Sequence, residues 1–178
     1  MSDWKLISTA NPSGAANTSF TDLTGYKIFK FVCIDINPAT DAAEFEFDCS
    51  VSGSYGTTFK TTMSFESYND EAGTSSGLVI SHSSWYLAQS TSNQVLMGNM
   101  GNGADECGSG ELYLYNPAST TYVKHFYNRS QYYLEANYSY SSFVSGYLNT
   151  TSALDGIKFL MSTGNFDGTI KQYGLVAG

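Results

Sequence analysis

Charge is what this chain has least of. Asp, Glu, Lys and Arg make up 13% of its 178 residues, about half the usual share. Only 8 are Lys or Arg against 16 Asp or Glu, which leaves a net charge of −8. Such a surface repels phosphate backbones and argues against a nucleic-acid partner. No apolar run approaches the ~18–20 residues that a bilayer span needs, so no membrane insertion is expected. The opening Met-Ser-Asp-Trp-Lys-Leu-Ile-Ser lacks the basic start and long apolar core of a secretory signal. Cysteine is scarce and odd in number: Cys33, Cys49 and Cys107. Without close pairs they argue against a disulfide framework and for synthesis in a reducing cytoplasm. No segment keeps a capped 3.6-residue period, so helix is expected to be scarce.

What fills the chain is aromatic and small. It holds 14 Tyr, 11 Phe and 17 Gly, and 42% of its residues are hydrophobic. That excludes disorder by charge excess. Aromatic and β-branched residues with abundant Gly point to an all-β chain. The length suits one domain over residues 1–178. With few Lys and Glu, the polar surface must come from Ser, Thr, Asn, Gln and Gly.

Period-two alternation recurs along the chain. Leu112 and Leu114 alternate with Glu111, Tyr113 and Tyr115. Asn116-Pro117 stops that strand. A second run starts at Thr121, with Tyr122, Lys124, Phe126 and Asn128 on one face. Val123, His125, Tyr127 and Arg129 take the other. The pair predicts a β-hairpin with a loop of about four or five residues. Over Ala43–Val51, Ala43, Phe45, Phe47, Cys49 and Val51 should face in, and Glu44, Glu46, Asp48 and Ser50 out.

Further strands are expected at Trp4–Ser8, Phe20–Leu23, Tyr26–Ile36, Thr57–Tyr68, Leu78–Ile80, Trp85–Ala88 and Gln94–Met97. Tyr132–Tyr140, Phe143–Leu148, Ile157–Met161 and Thr169–Val176 complete the set. The nearly continuous apolar run of Tyr26–Ile36 suggests a strand covered on both sides. Phe59, Met63 and Phe65 should share a face. Residues 98–110, with five Gly, should be the most flexible segment. The expected fold is an all-β, jelly-roll-like β-sandwich of roughly ten to twelve short antiparallel strands.

Several motifs touch on chemistry. Glu44, Glu46 and Asp48 form a carboxylate row with neighbours about 6.5–7 Å apart along the strand. Some glycosidases place their acid and nucleophile this way. The alternative is a solvent-facing acidic row that discourages edge pairing. Gly73-Thr74-Ser75-Ser76-Gly77 matches a nucleophile-elbow pattern but lacks the strand before it and the helix after it. His82 and His125 are the only histidines, and no spacing pairs either with a Ser or Cys. Asn102, Asp105 and Glu106 offer oxygen ligands, but their spacing matches no calcium loop. No metal or other cofactor is expected. Asn165-Phe166-Asp167-Gly168 suggests a turn, with Gly168 at positive φ. Asn17, Asn128, Asn137 and Asn149 begin Asn-x-Ser/Thr triplets, which carry no weight without a secretory signal.

Tyr clusters in the second half of the chain. Exposed Tyr suits protein interfaces and sugar stacking. The candidate interface is Tyr113, Tyr115, Tyr122, His125, Tyr127 and Arg129.

Two segments carry a resemblance: Ser109–Phe126, with its Gly-Glu-Leu-Tyr-Leu-Tyr-Asn-Pro-Ala core, and Met161–Leu175, with Ser-Thr-Gly-Asn-Phe-Asp-Gly-Thr-Ile-Lys. Together with the Ile36–Asp41 turn, they resemble small structural proteins of tailed bacteriophages, especially marine ones. The resemblance implies a non-enzymatic virion component, on head or tail, made in the host cytoplasm. Its partners would be other virion proteins and further copies of itself, a trimer on a symmetric particle position. A host-surface glycan is a further expected partner, as for a carbohydrate-binding module. A small glycosidase using Glu44 and Glu46 is the third reading.

Overall fold

The computed structural model describes residues 3–175, and none of these residues is helical. Twelve strands follow in order: β1 (Trp4–Ala10), β2 (Asn17–Phe20), β3 (Ile28–Pro38), β4 (Ala43–Ser50), β5 (Lys60–Asp70) and β6 (Ser76–Ile80). Then come β7 (Gln94–Met100), β8 (Gly108–Tyr115), β9 (Lys124–Leu134), β10 (Tyr138–Leu148), β11 (Gly156–Met161) and β12 (Phe166–Leu175). All pairings are antiparallel. Eight strands run β1-β12-β3-β8-β9-β10-β5-β6, and four run β7-β4-β11-β2. A single bridge, Met100 to Leu134, joins the two groups. The fold is an all-β sandwich, nearly closed by that bridge.

Alternation decides what lies between the layers. Phe29, Phe31, Leu112, Leu114 and Phe126 point inward from the large layer, and Phe45, Phe47, Ile157 and Phe159 from the small one. Phe47 meets Phe126 edge-on at 4.9 Å, and Phe31 meets Phe159 at 5.5 Å. Each such ring contributes roughly 1.5–3 kcal/mol by leaving water. Cys33 and Cys49 are buried free thiols. Burial pushes the Cys33 thiol up to about 12 and raises Cys49 as well, so both act as small hydrophobes.

Several boundaries and faces differ from expectation. The expected strand over Tyr132–Tyr140 is split between β9 and β10. Asn137 adopts a left-handed φ of 63° there, which Asn tolerates and a continuous strand does not. The residues between β8 and β9 number more than the expected hairpin loop, because Lys124 is the first paired residue. The buried Lys124 ammonium donates to the carbonyls of Tyr122 and Thr150 at 2.9 and 3.1 Å, clasping this connection.

The β3 strand is covered on one side only: Lys30, Val32 and Ile34 are half-exposed on the outer face of the layer. Leu23 lies outside any strand but is buried. Trp85–Ala88 is not a strand. Trp85 turns its ring against Gly98 and its indole N–H onto Glu44. Gly168 has the expected positive φ, 145°, but at a bulge inside β12, and the β11–β12 turn lies before it, with Gly164 at a left-handed φ of 73°. Val176 lies outside the described residues.

The β5 strand is the largest departure. Phe59, Met63 and Phe65 share a face as expected, but that face is exposed. Lys60, Thr62, Ser64 and Glu66 point inward. Three of them find polar partners: Lys60 meets Asp48 on the other layer, Thr62 accepts from the Leu87 N–H, and Glu66 accepts from Tyr132 of its own layer.

Candidate functional site

The outer face of the eight-stranded layer gathers side chains from seven strands. In β9, His125, Tyr127, Arg129 and Gln131 alternate with buried neighbours and point outward. Register sets what lies beside them. Tyr127 stands opposite Tyr113, Tyr113 opposite Lys30, Lys30 opposite Tyr173, and Tyr173 opposite Leu6.

The rings form a continuous array. Tyr113 and Tyr127 stack at 4.7 Å and 8°. Tyr115 lies 6.3 Å from Tyr127, and Trp4 meets Tyr113 edge-on at 5.8 Å. The Lys30 ammonium sits 4.6 Å over Trp4 and 5.5 Å over Tyr173. Such cation–π contacts hold the array rigid. The array continues through His125 and Tyr147, 6.2 Å apart. Arg129 lies 5.6 Å over Phe143, which stacks on Phe65 at 4.9 Å.

Beside the rings runs a shallow trough of about 440 Å³, lined by Val32, Ser109, Glu111, Arg129, Gln131 and Ser141 among others. Glu111 accepts from the Tyr113 hydroxyl at 3.1 Å. Burial, aided by the Glu111 hydrogen bond and charge, holds the Tyr113 phenol well above its ordinary value. The hydroxyl therefore stays a donor at all physiological pH. Rigid amphipathic rings beside a trough of planar polar groups can stack on a partner and hydrogen-bond its rim.

Five of the six expected interface residues share this face: Tyr113, Tyr115, His125, Tyr127 and Arg129. Tyr122 does not. It precedes β9, is 70% exposed, and is held through its backbone, whose N–H donates to Ser119 and whose carbonyl accepts from Lys124. Trp4, Lys30, Phe65, Phe143, Tyr147 and Tyr173 join the face without having been picked from the sequence. Each sits on the outward phase of its own strand, but only register brings these strands together.

The acidic row is not a solvent-facing strip. The 81–93 segment and Lys60 cover it. Glu44 accepts from the Trp85 indole, and Glu46 accepts from the Asn93 amide at 2.9 Å. Burial raises the Glu46 carboxyl, against the opposing effect of Asn93. Asp48 is buried against Lys60. Nor is β4 an edge, since β7 and β11 flank it.

His82 and Ser84 do touch, with Nδ1 and Oγ 2.8 Å apart, beside Glu44 in a depression of about 200 Å³. The Ser84 backbone N–H points at the same ring nitrogen, which makes this a local turn contact. Asp70 accepts from the backbone N–H groups of Thr74 and Ser75, so the Gly73–Gly77 stretch is a capped turn leading into β6. In the 98–110 segment, Glu106 accepts from the Gly103 N–H at 2.7 Å, and Asn37 donates to the Gly103 carbonyl at 3.0 Å. That loop is pinned, and β8 begins inside it. Among the described residues no three His, Cys, Asp or Glu side chains converge on a metal position.

Comparison with family models, curated proteins and solved structures found no match.

Proposed function

We propose that this protein is a non-enzymatic assembly component of a bacteriophage particle, docking through the outer face of its eight-stranded layer. The observation that supports this most is the array of Trp4, Tyr113, Tyr127, Lys30 and Tyr173, partly exposed yet held in fixed mutual contacts. Ordered aromatic surface of this kind gives large contact area at little entropic cost, as interface cores require. The phage setting comes from the resemblance of Ser109–Phe126 and Met161–Leu175. Association with other virion proteins, and with further copies of the chain, follows from the same reading. Localising the chain in an intact-particle density map tests it. The expected map buries the Tyr113–Tyr127 stack against a neighbouring protein. A particle without the chain, or one leaving that face in solvent at the capsid and tail alike, rejects the proposal.

Glycan binding is the second reading. It is favoured by the proximity of the tyrosine stack to Arg129, Gln131 and Glu111 in one trough. Sugar rings stack on aromatic faces while planar polar groups take their hydroxyls. Titration with host-surface polysaccharide should then give binding that Tyr127→Ala abolishes.

A further inference from the structure

We infer that β6 is a self-pairing edge. Two copies join β6 to β6, antiparallel, about a two-fold axis at Leu78, and fuse their large layers into one continuous sheet. This inference stands on the edge alone and is independent of the aromatic face.

The strand pairs on one side only, with β5. Two hydrogen bonds fix which groups point where. Asp70 N–H donates to the Ser75 carbonyl at 2.9 Å, and Ser81 N–H donates to the Ser64 carbonyl at 3.2 Å. Register and alternation then make Gly77 and Val79 the residues bonded to β5. Ser76, Leu78 and Ile80 therefore aim their N–H and C=O groups away from β5, into solvent.

Sheet edges are normally guarded by charge, proline, bulges or brevity. The β1 and β2 edges are, and β7 meets β9 at the Met100–Leu134 bridge. The β1 edge carries Lys5 and a bulge between Leu6 and Ser8. The β2 edge is four residues long and mostly polar. Ser76-Gly77-Leu78-Val79-Ile80 has no charge, no proline and no bulge. Leu78 is 71% exposed and Ile80 63%. Phe65, opposite Ile80, extends the apolar surface.

A second copy fits this edge. With Leu78 opposite Leu78 and Ser76 opposite Ile80, each donor of one copy meets an acceptor of the other, and none is left over. Charge selects the antiparallel sense. It sets the acidic turn at Asp70 and Glu71 of one copy beside the His82 end of the other. A parallel pair would set two acidic turns side by side. For a chain of net charge −8, the uncharged β6 is also where two copies can meet without facing carboxylates. The contact makes a pair, so a threefold arrangement would need a second, separate contact.

Sedimentation equilibrium on the full chain tests this, alongside Leu78→Pro and Leu78→Lys. The Leu78 N–H is not used by β5, so proline there removes a donor only the dimer needs. Lysine sets two like charges opposite each other. The wild type should be a dimer at high micromolar concentration. Both variants should keep the wild-type circular dichroism and melting temperature while associating at least about tenfold more weakly. Should proline disturb the fold, the lysine variant decides alone. A wild-type monomer throughout the range, or a dimer undiminished in Leu78→Lys, overturns the inference.

Discussion

Lys60 and Asp48 form an ion pair at 2.6 Å with their side chains 0% and 1% exposed. The pair ties the start of β5 to the middle of β4. Lys60 also donates to the Ser92 carbonyl at 3.0 Å, and Asp48 accepts from the Gly56 N–H at 2.6 Å. Removing one partner strands a buried charge. Asp48→Leu or Lys60→Met alone is therefore expected to cost about 3–5 kcal/mol in urea denaturation. Asp48→Leu combined with Lys60→Met should cost clearly less than the sum of the single losses, since neither charge remains. Additive losses would mean that the two side chains are stabilised independently.

Glu66 should make stability fall with pH. Its carboxyl accepts from the buried Tyr132 hydroxyl at 2.9 Å, yet burial outweighs that bond and raises its pKa. Below the ordinary glutamate pKa of about 4.3, both folded and unfolded chains hold the proton. As pH rises past it, the unfolded chain releases the proton first. The folded state then binds more protons, and stability drops until the folded carboxyl ionises too. Glu66→Gln lacks this loss. Its stability relative to wild type should rise from acid toward neutral pH, read by denaturation at stepped pH. A constant difference would show that burial imposes no cost on the charge.

How far the sequence reaches is visible in three strands. The inward face of β4 is legible because Phe45 and Phe47 alternate with Glu44, Glu46 and Asp48, and the period of β9 separates its two faces, although Lys124, Asn128 and Ser130 lie on the buried one. The phase of β5 is not. Its apolar residues face out, and its inward Lys60 and Glu66 are satisfied by Asp48 and Tyr132, partners remote in the chain. The candidate face divides likewise. Tyr113, Tyr115 and Tyr127 emerge from one local hairpin pattern. Trp4, Lys30 and Tyr173 need the order β1-β12-β3-β8, which no local pattern encodes.

Glu44→Gln and Glu46→Gln should leave the fold nearly unchanged. Each carboxylate acts as an acceptor, for the Trp85 indole and the Asn93 amide, and a glutamine oxygen can still accept. Glu44→Ala should cost about 1–3 kcal/mol, because the indole N–H loses its partner in a partly buried position. Thermal melts rank the three. If either Gln variant abolished a polysaccharide cleavage seen in wild type, the glycosidase reading would replace the assembly one.

The aromatic face makes the last prediction. Tyr127 touches Tyr113 and Tyr115 and lines a depression of about 170 Å³ with Phe65 and Phe143, while Tyr122 stands on the connection before β9. Replacing Tyr127 with Ala should cost no more than about 1.5 kcal/mol of stability, since the ring is exposed and loses chiefly its stacking. Incorporation into particles should fall at least about tenfold, as expected for an aromatic anchor at the centre of a contact. Tyr113→Ala should behave the same way, with a somewhat larger stability loss from breaking the Trp4 and Lys30 contacts. Tyr122→Ala should change neither quantity. Quantifying the chain in purified particles, after complementation with each variant, separates these outcomes. Equal losses for Tyr122 and Tyr127 would move the contact to the connection before β9. Full incorporation of all three would remove the face from assembly and leave glycan binding as its remaining role.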